Sequence, residues 1–201
     1  MKRFLTFLCC LLIAVVSFAQ SANQHLKFMG VPINGTITQF QSKLVAKGCS
    51  YNQAESAQSS NGCRIFYGTL IGSKVRICVF YNTQTKNVYR VKAIMDGLSE
   101  DYVDQQYSKL KGLLAQKYDY QTEGTKDDKE CVSYLSLRNP GTEVDFSNIS
   151  ALSEVAYGEV DLFITKDEEE WRRSPYNFNL HIDYNDALNS EKNDNSMLDD
   201  L

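Results

Sequence analysis

The sequence predicts an α+β domain, an antiparallel sheet of six to seven strands with two main helices packed on one face. Three observations carry that expectation. Two segments, near residues 37–47 and 99–118, repeat their apolar residues at helical spacing. Between and after them run short stretches rich in β-branched and aromatic residues, several alternating in polarity. Gly, Asn and Pro turns join these stretches, short enough for hairpins rather than crossovers.

The chain opens with Lys2-Arg3, an apolar run from Phe4 to Phe18, and small residues at Ser17 and Ala19. This is the pattern of a secretory leader spanning 1–19, with Gln20 as the first residue after cleavage. The run is too short to span a bilayer comfortably, so no stable membrane insertion is expected once it is removed. A single domain over 20–184 and a disordered acidic tail over 185–201 complete the expected organisation. The tail holds Asp186, Glu191, Asp194, Asp199 and Asp200 against Lys192 alone. The whole chain has 21 basic and 25 acidic side chains. Loss of Lys2 and Arg3 leaves an acidic excess of six, which disfavours nucleic acid as a partner.

Thr36 and Gln39 have capping-box spacing, and Ile37, Phe40, Leu44 and Val45 share one face ahead of Gly48. A helix over 37–47 follows, entered through the turn-rich Gly30 to Gly35 after an apolar pair, Phe28-Met29. A polar loop, Ser50 to Gly62, leads to strands Arg64 to Leu70 and Lys74 to Tyr81 about a Gly72-Ser73 hairpin turn. A third strand runs from Asn87 to Met95. Ser99 caps the second helix, with Glu100 and Asp101 in its first turn and Val103, Tyr107, Leu110 and Leu114 as its apolar stripe. A polar segment, 119–130, precedes four strands expected at 131–137, 143–149, 155–165 and 178–184. Helix, three strands, helix, four strands hints at a duplicated helix-plus-meander unit; Gln41-Ser42-Lys43-Leu44 and Tyr107-Ser108-Lys109-Leu110 sit alike in the two helices.

Four cysteines remain beyond the leader: Cys49, Cys63, Cys78 and Cys131. In an oxidising compartment they allow three pairings. Cys49 and Cys63 flank the polar loop, where a bridge would contribute about 3 kcal/mol. Cys78 and Cys131 lie in strands and are read as a second pair or as buried thiols. No Cys-x2-4-Cys spacing and only two histidines argue against zinc. No phosphate-cradling loop, dinucleotide fingerprint or serine elbow is present, so no cofactor, metal or catalytic residue is assigned.

The strand near 177–185 carries the one pattern suited to acid–base work. Asn177, Asn179, His181, Asp183 and Asn185 alternate with Phe178, Leu180, Ile182 and Tyr184, which puts His181 and Asp183 on one face. A solvated outer-strand face explains the alternation without chemistry, and is the preferred reading; a small envelope hydrolase using His181 and Asp183 is the alternative. Glu159 and Asp161 share a strand face in the same way. The first meander mixes Arg64, Arg76, Arg90 and Lys92 with Tyr67, Tyr81 and Tyr89, and the charged segment 168–176 carries Trp171 beside Arg172. Aromatic side chains between charges suit an interface. Trp171, Arg172, Tyr67, Tyr89 and Arg90 are therefore the candidate binding residues, for a protein, peptide or glycan partner met by a monomer in the periplasm or outside the cell. An assembly subunit, the third reading, requires a long unpaired edge strand.

The exit Ser17-Phe18-Ala19-Gln20, the opening from His25 to Thr36 leading into Phe40 and Leu44, and the closing Ile182 to Asn189 resemble uncharacterised exported proteins of gut Bacteroidetes. The helix-then-meander order is similar to the β-lactamase-inhibitor-protein-like fold of bacterial envelope modules. Those units open with two helices where one is read here, and no site residue is carried over from them.

Overall fold

The structure, a computed structural model, describes residues 24–126, 129–139, 152–167 and 175–198. The leader, the expected strand 143–149, Trp171, Arg172 and the last three residues lie outside them. A two-stranded hairpin, β1 (Lys27–Phe28) and β2 (Val31–Pro32), leads into α1 (Ile37–Ala46). The capping box forms as the sequence dictates: Gln39 N–H donates to Thr36 Oγ1 at 3.4 Å and Thr36 N–H to Gln39 Oε1 at 3.1 Å. Ile37, Phe40 and Leu44 make its buried stripe. Beyond α1 come β3 (Ser50–Asn52), a short α2 (Gln53–Gln58), β4 (Cys63–Leu70), β5 (Ser73–Tyr81) and β6 (Val88–Leu98).

The second half repeats the order. Its long helix α3 (Glu100–Lys117) buries Val103, Leu110 and Leu114, and is followed by β7 (Tyr120–Lys126), β8 (Lys129–Leu137), a turn of helix α4 (Leu152–Val155), β9 (Ala156–Lys166), β10 (Phe178–Asp186) and α5 (Ala187–Leu198). Among the described residues the main sheet is antiparallel, eight strands in the order β3-β4-β5-β6-β10-β9-β8-β7. Each half is thus a long helix and a four-strand meander. Their last strands, β6 and β10, pair along the seam, with His181 opposite Ile94 and Asp183 opposite Lys92.

The fold class is the expected one, with more strands than expected. The polar loop after Cys49 contains β3 and α2, and the polar segment 119–130 contains β7; none of these has apolar alternation because all lie at the sheet margins. The expected acidic tail is also corrected. Asn185 and Asp186 finish β10, and Ala187–Leu198 form α5. Asp186 holds this end: its Oδ1 accepts from Asn189 N–H at 3.0 Å as a helix cap, and its Oδ2 accepts from Leu26 N–H at 2.9 Å. Asn189 then donates its amide to the carbonyls of Ile33 and Val88, at 2.9 and 3.0 Å. Few apolar side chains are needed when buried polar atoms are joined this way.

One core lies between the helices and the first sheet face. Phe66, Ile77, Val79, Val91, Ala93 and Met95 from the first half meet Leu180, Ile182, Val160, Leu162, Val132 and Tyr134 from the second, under α1 and α3. Tyr134 also donates its hydroxyl to the Lys111 carbonyl at 3.1 Å. Among the described residues no helix is long and apolar enough to cross a membrane.

Candidate functional site

The second sheet face follows from strand alternation: every residue next to a core residue points to it. Register aligns three rows. One reads Tyr67, Arg76, Ile94, His181, Phe163, Cys131 across the strands. The next reads Ile65, Cys78, Lys92, Asp183, Asp161, Ser133, and the third Cys63, Phe80, Arg90, Asn185, Glu159, Leu135.

At its centre this face is buried rather than solvated, which overturns the preferred sequence reading of the polar side of β10. Asp183 is 0% and Asp161 1% exposed, although they sit directly opposite one another. Two such carboxylates must be compensated. Arg90 donates Nε to Asp183 Oδ1 at 2.8 Å and Nη2 to Oδ2, a bidentate fork. Ser133 Oγ donates to Asp161 Oδ1 at 2.6 Å. Arg90 and Lys92 balance the two acids in charge, and the Arg90 guanidinium also lies 5.1 Å from the Phe80 ring centre.

His181 and Asp183 share the face but are not coupled as a base and its orienter. His181 shares its Nε2 hydrogen bond with Thr165 Oγ1, at 2.8 Å, and Nδ1 is buried with no partner. Its ring stacks on Phe163, centroids 4.7 Å apart. Burial, reinforced by the Lys92 ammonium, lowers its pKa to about 4 and holds the imidazole neutral near pH 7. A base so weak and so shielded is poorly matched to proton abstraction at neutral pH.

The candidate binding residues divide. Tyr67 is 39% exposed and donates its hydroxyl to Glu55 of α2 at 2.8 Å, beside the Arg76–Asp96 ion pair of 2.9 Å. Tyr89 and Arg90 line a cleft of about 240 Å³ with Asn185, Ser190 and Asp194, between the seam and α5. The two places are two strands apart and separated by about 13 Å along the strands, at about 3.3 Å per residue. Arg64 and Tyr81 belong to neither. They fall on the helix side, where Arg64 donates to Gln41 of α1 at 2.6 Å. The sequence reading placed Asn185 on the polar face of β10 but missed Ser190 and Asp194, which were assigned to a tail. Asp186 followed by Asn189 at cap spacing was the available signal.

The expected Cys49–Cys63 bridge is likewise corrected: all four described cysteines are free thiols. Cys49 packs in the helix-side core, Cys63 in the small cluster on the other face with Ile65, Cys78 and Ile94. Flanking one loop brought them near in sequence but onto opposite sides of the sheet. Among the described residues no three His, Cys, Asp or Glu side chains are grouped to hold a metal ion. No protein-family model matches the chain, and no curated protein or solved structure matches it significantly.

Proposed function

We propose that the protein is an exported binding module, working in the periplasm or outside the cell, that meets a protein, peptide or glycan through its second sheet face. The observation that supports this most directly is a rigid, self-neutralised centre flanked by two places where aromatic and charged side chains meet solvent. Tyr67 with Arg76 and Asp96 forms one, and Tyr89 with Arg90 the other. Preorganised aromatic and Arg groups give up little conformational freedom on binding. The leader pattern supports export, and the matching order of the two halves supports their origin as a duplicated helix-plus-meander unit.

A photo-crosslinking residue placed at Tyr67 or Tyr89 in the producing cells should give discrete adducts, and one at Tyr102 on the outer side of α3 should not. Adducts from Tyr102 alone, or from none of the three, would remove the proposal. Protein recovered from outside the cytoplasm should begin at Gln20.

One observation favours a second reading, assembly of copies. Among the described residues, strand β7 ends the sheet, pairs only with β8 over seven residues, and leaves Gln121, Glu123, Gly124 and Thr125 exposed. Sedimentation across a hundredfold concentration range separates the readings: a constant monomer mass counts against assembly.

A further inference from the structure

Of the four described cysteines, only two stand on neighbouring strands and on the same face. Cys49 faces the helices, its sulfur 3.9 Å from that of Met29, and Cys131 lies on β8, four strands beyond β5. Cys63 of β4 and Cys78 of β5 are diagonal neighbours: Cys63 pairs with Phe80, and Cys78 with Ile65. Both thiols are 7% exposed and pack in one cluster with Ile65 and Ile94. We propose that Cys63 and Cys78 form a redox-active dithiol that closes to a disulfide by exchange with a small-molecule disulfide.

Position sets how the bond would close. Diagonal neighbours in a sheet typically stand about 7–8 Å apart, slightly beyond the 4.4–6.8 Å Cα spacing of most disulfides, so the strands must draw in by about an ångström. Cys63 is the first residue of β4 and can supply that movement. It follows Gly62, whose φ of +83° ends a tight turn in which Cys63 N–H reaches the Ser60 carbonyl at 3.2 Å. A bond closed against slight resistance is reducible, in contrast to a permanent staple.

The two thiols have different roles. The Cys78 thiol, the Ser59 hydroxyl and the Arg76 guanidinium all favour the thiolate on Cys63 and lower its pKa to about 7, against the opposing effect of burial. Cys78 is pushed up by the same pairing and by burial. Cys63 also stands at the entrance of β4 beside the Gly62 turn, whereas Cys78 is held in the middle of β5, and on that placement Cys63 is the attacking sulfur. Its thiolate displaces one half of a disulfide R–S–S–R, forming a mixed disulfide and releasing RS⁻, which takes a proton from water. Cys78 then loses its proton to solvent, attacks Cys63 Sγ and expels the second RS⁻, which is protonated in turn. Two electrons and two protons pass from the protein thiols to R–S–S–R, leaving two RSH and a Cys63–Cys78 bond.

The test uses the reduced exported protein beginning at Gln20, which lacks Cys9 and Cys10, equilibrated across ratios of oxidised to reduced glutathione, acid-quenched, alkylated with N-ethylmaleimide and cut with trypsin. Cleavage after Lys47, Arg64, Arg76 and Lys86 puts Cys49 and Cys63 in peptide 48–64 and Cys78 in peptide 77–86. The expected product joins these two peptides and keeps an alkylated Cys49. An internal bond within 48–64, a bond to the Cys131 peptide, or full alkylation at the most oxidising ratio would each overturn the proposal. With Cys78→Ser, glutathione should remain attached at Cys63; attachment at Cys49 or Cys131 instead refutes the assignment of the nucleophile. Should that variant fail to fold, iodoacetamide labelling of the native wild-type protein serves. Cys63 should react at least tenfold faster than the other three at pH 7, with a half-point near pH 7, and equal rates would refute it.

Discussion

His181 is the residue whose burial has the clearest consequence. Folding holds its pKa at about 4, chiefly through burial, whereas an unfolded histidine titrates near about 6.5. Between these values the unfolded chain binds a proton that the folded chain refuses, so stability is complete above about pH 6.5 and falls as the pH drops towards 4. The loss should reach about 3 kcal/mol, read as a shift in urea midpoint, and His181→Gln should flatten that limb. Asp183 makes a sharper case. Asp183→Asn leaves Arg90 without its bidentate acceptor, and the cost should be about 2–3 kcal/mol, below the usual figure for fully buried pairs because the Arg90 side chain is 34% exposed. The alternation that put His181 and Asp183 on one face was plain in the sequence. Their burial was not, since it depends on neighbours from β6, β8 and β9 that no local pattern reveals.

Among the elements, α1 and α3 were legible from their apolar stripes, Phe40 with Leu44 and Leu110 with Leu114, and α1 also from the Thr36 cap; Ser99 stands at the N-cap of α3 but its side chain makes no cap hydrogen bond. Marginal strands such as β7 were not, because Tyr120–Lys126 owes its conformation to pairing with β8 rather than to its own side chains. The β4–β5 hairpin was read about Gly72-Ser73, one residue late: Leu70 pairs with Ser73, so Ile71 and Gly72 are the two central turn residues. Ile71 has φ +52° at the first central turn position, a left-handed conformation that a β-branched side chain resists. Ile71 is exposed at the turn, so Ile71→Asn should raise stability by about 1 kcal/mol in chemical denaturation. At the β9–β10 pair the opposite holds. A Cβ at Gly158 would sit 2.5 Å from the Asn185 carbonyl oxygen, so Gly158→Ala should cost several kcal/mol, roughly the upper range for strained core substitutions.

For the whole molecule, the two halves share one core instead of owning one each. Leu180 and Ile182 of the second half lie under the same helices as Val91 and Ala93 of the first. Far- and near-ultraviolet circular dichroism should therefore report one coincident urea transition, and separated transitions would mean that the halves unfold independently. That shared core rests on the β6–β10 seam, whose partners Leu98 and Phe178 are about 80 residues apart in the chain. On a ribosome adding about 5–20 residues per second, β6 would wait several seconds for its neighbour, leaving the β10-facing edge of Val88–Leu98 unpaired meanwhile. The seam is thus a timing problem as well as a joint: β10, made late, is the strand that closes an unpaired edge of the first half, so a cell making this protein has reason to keep the nascent chain chaperoned until that strand arrives.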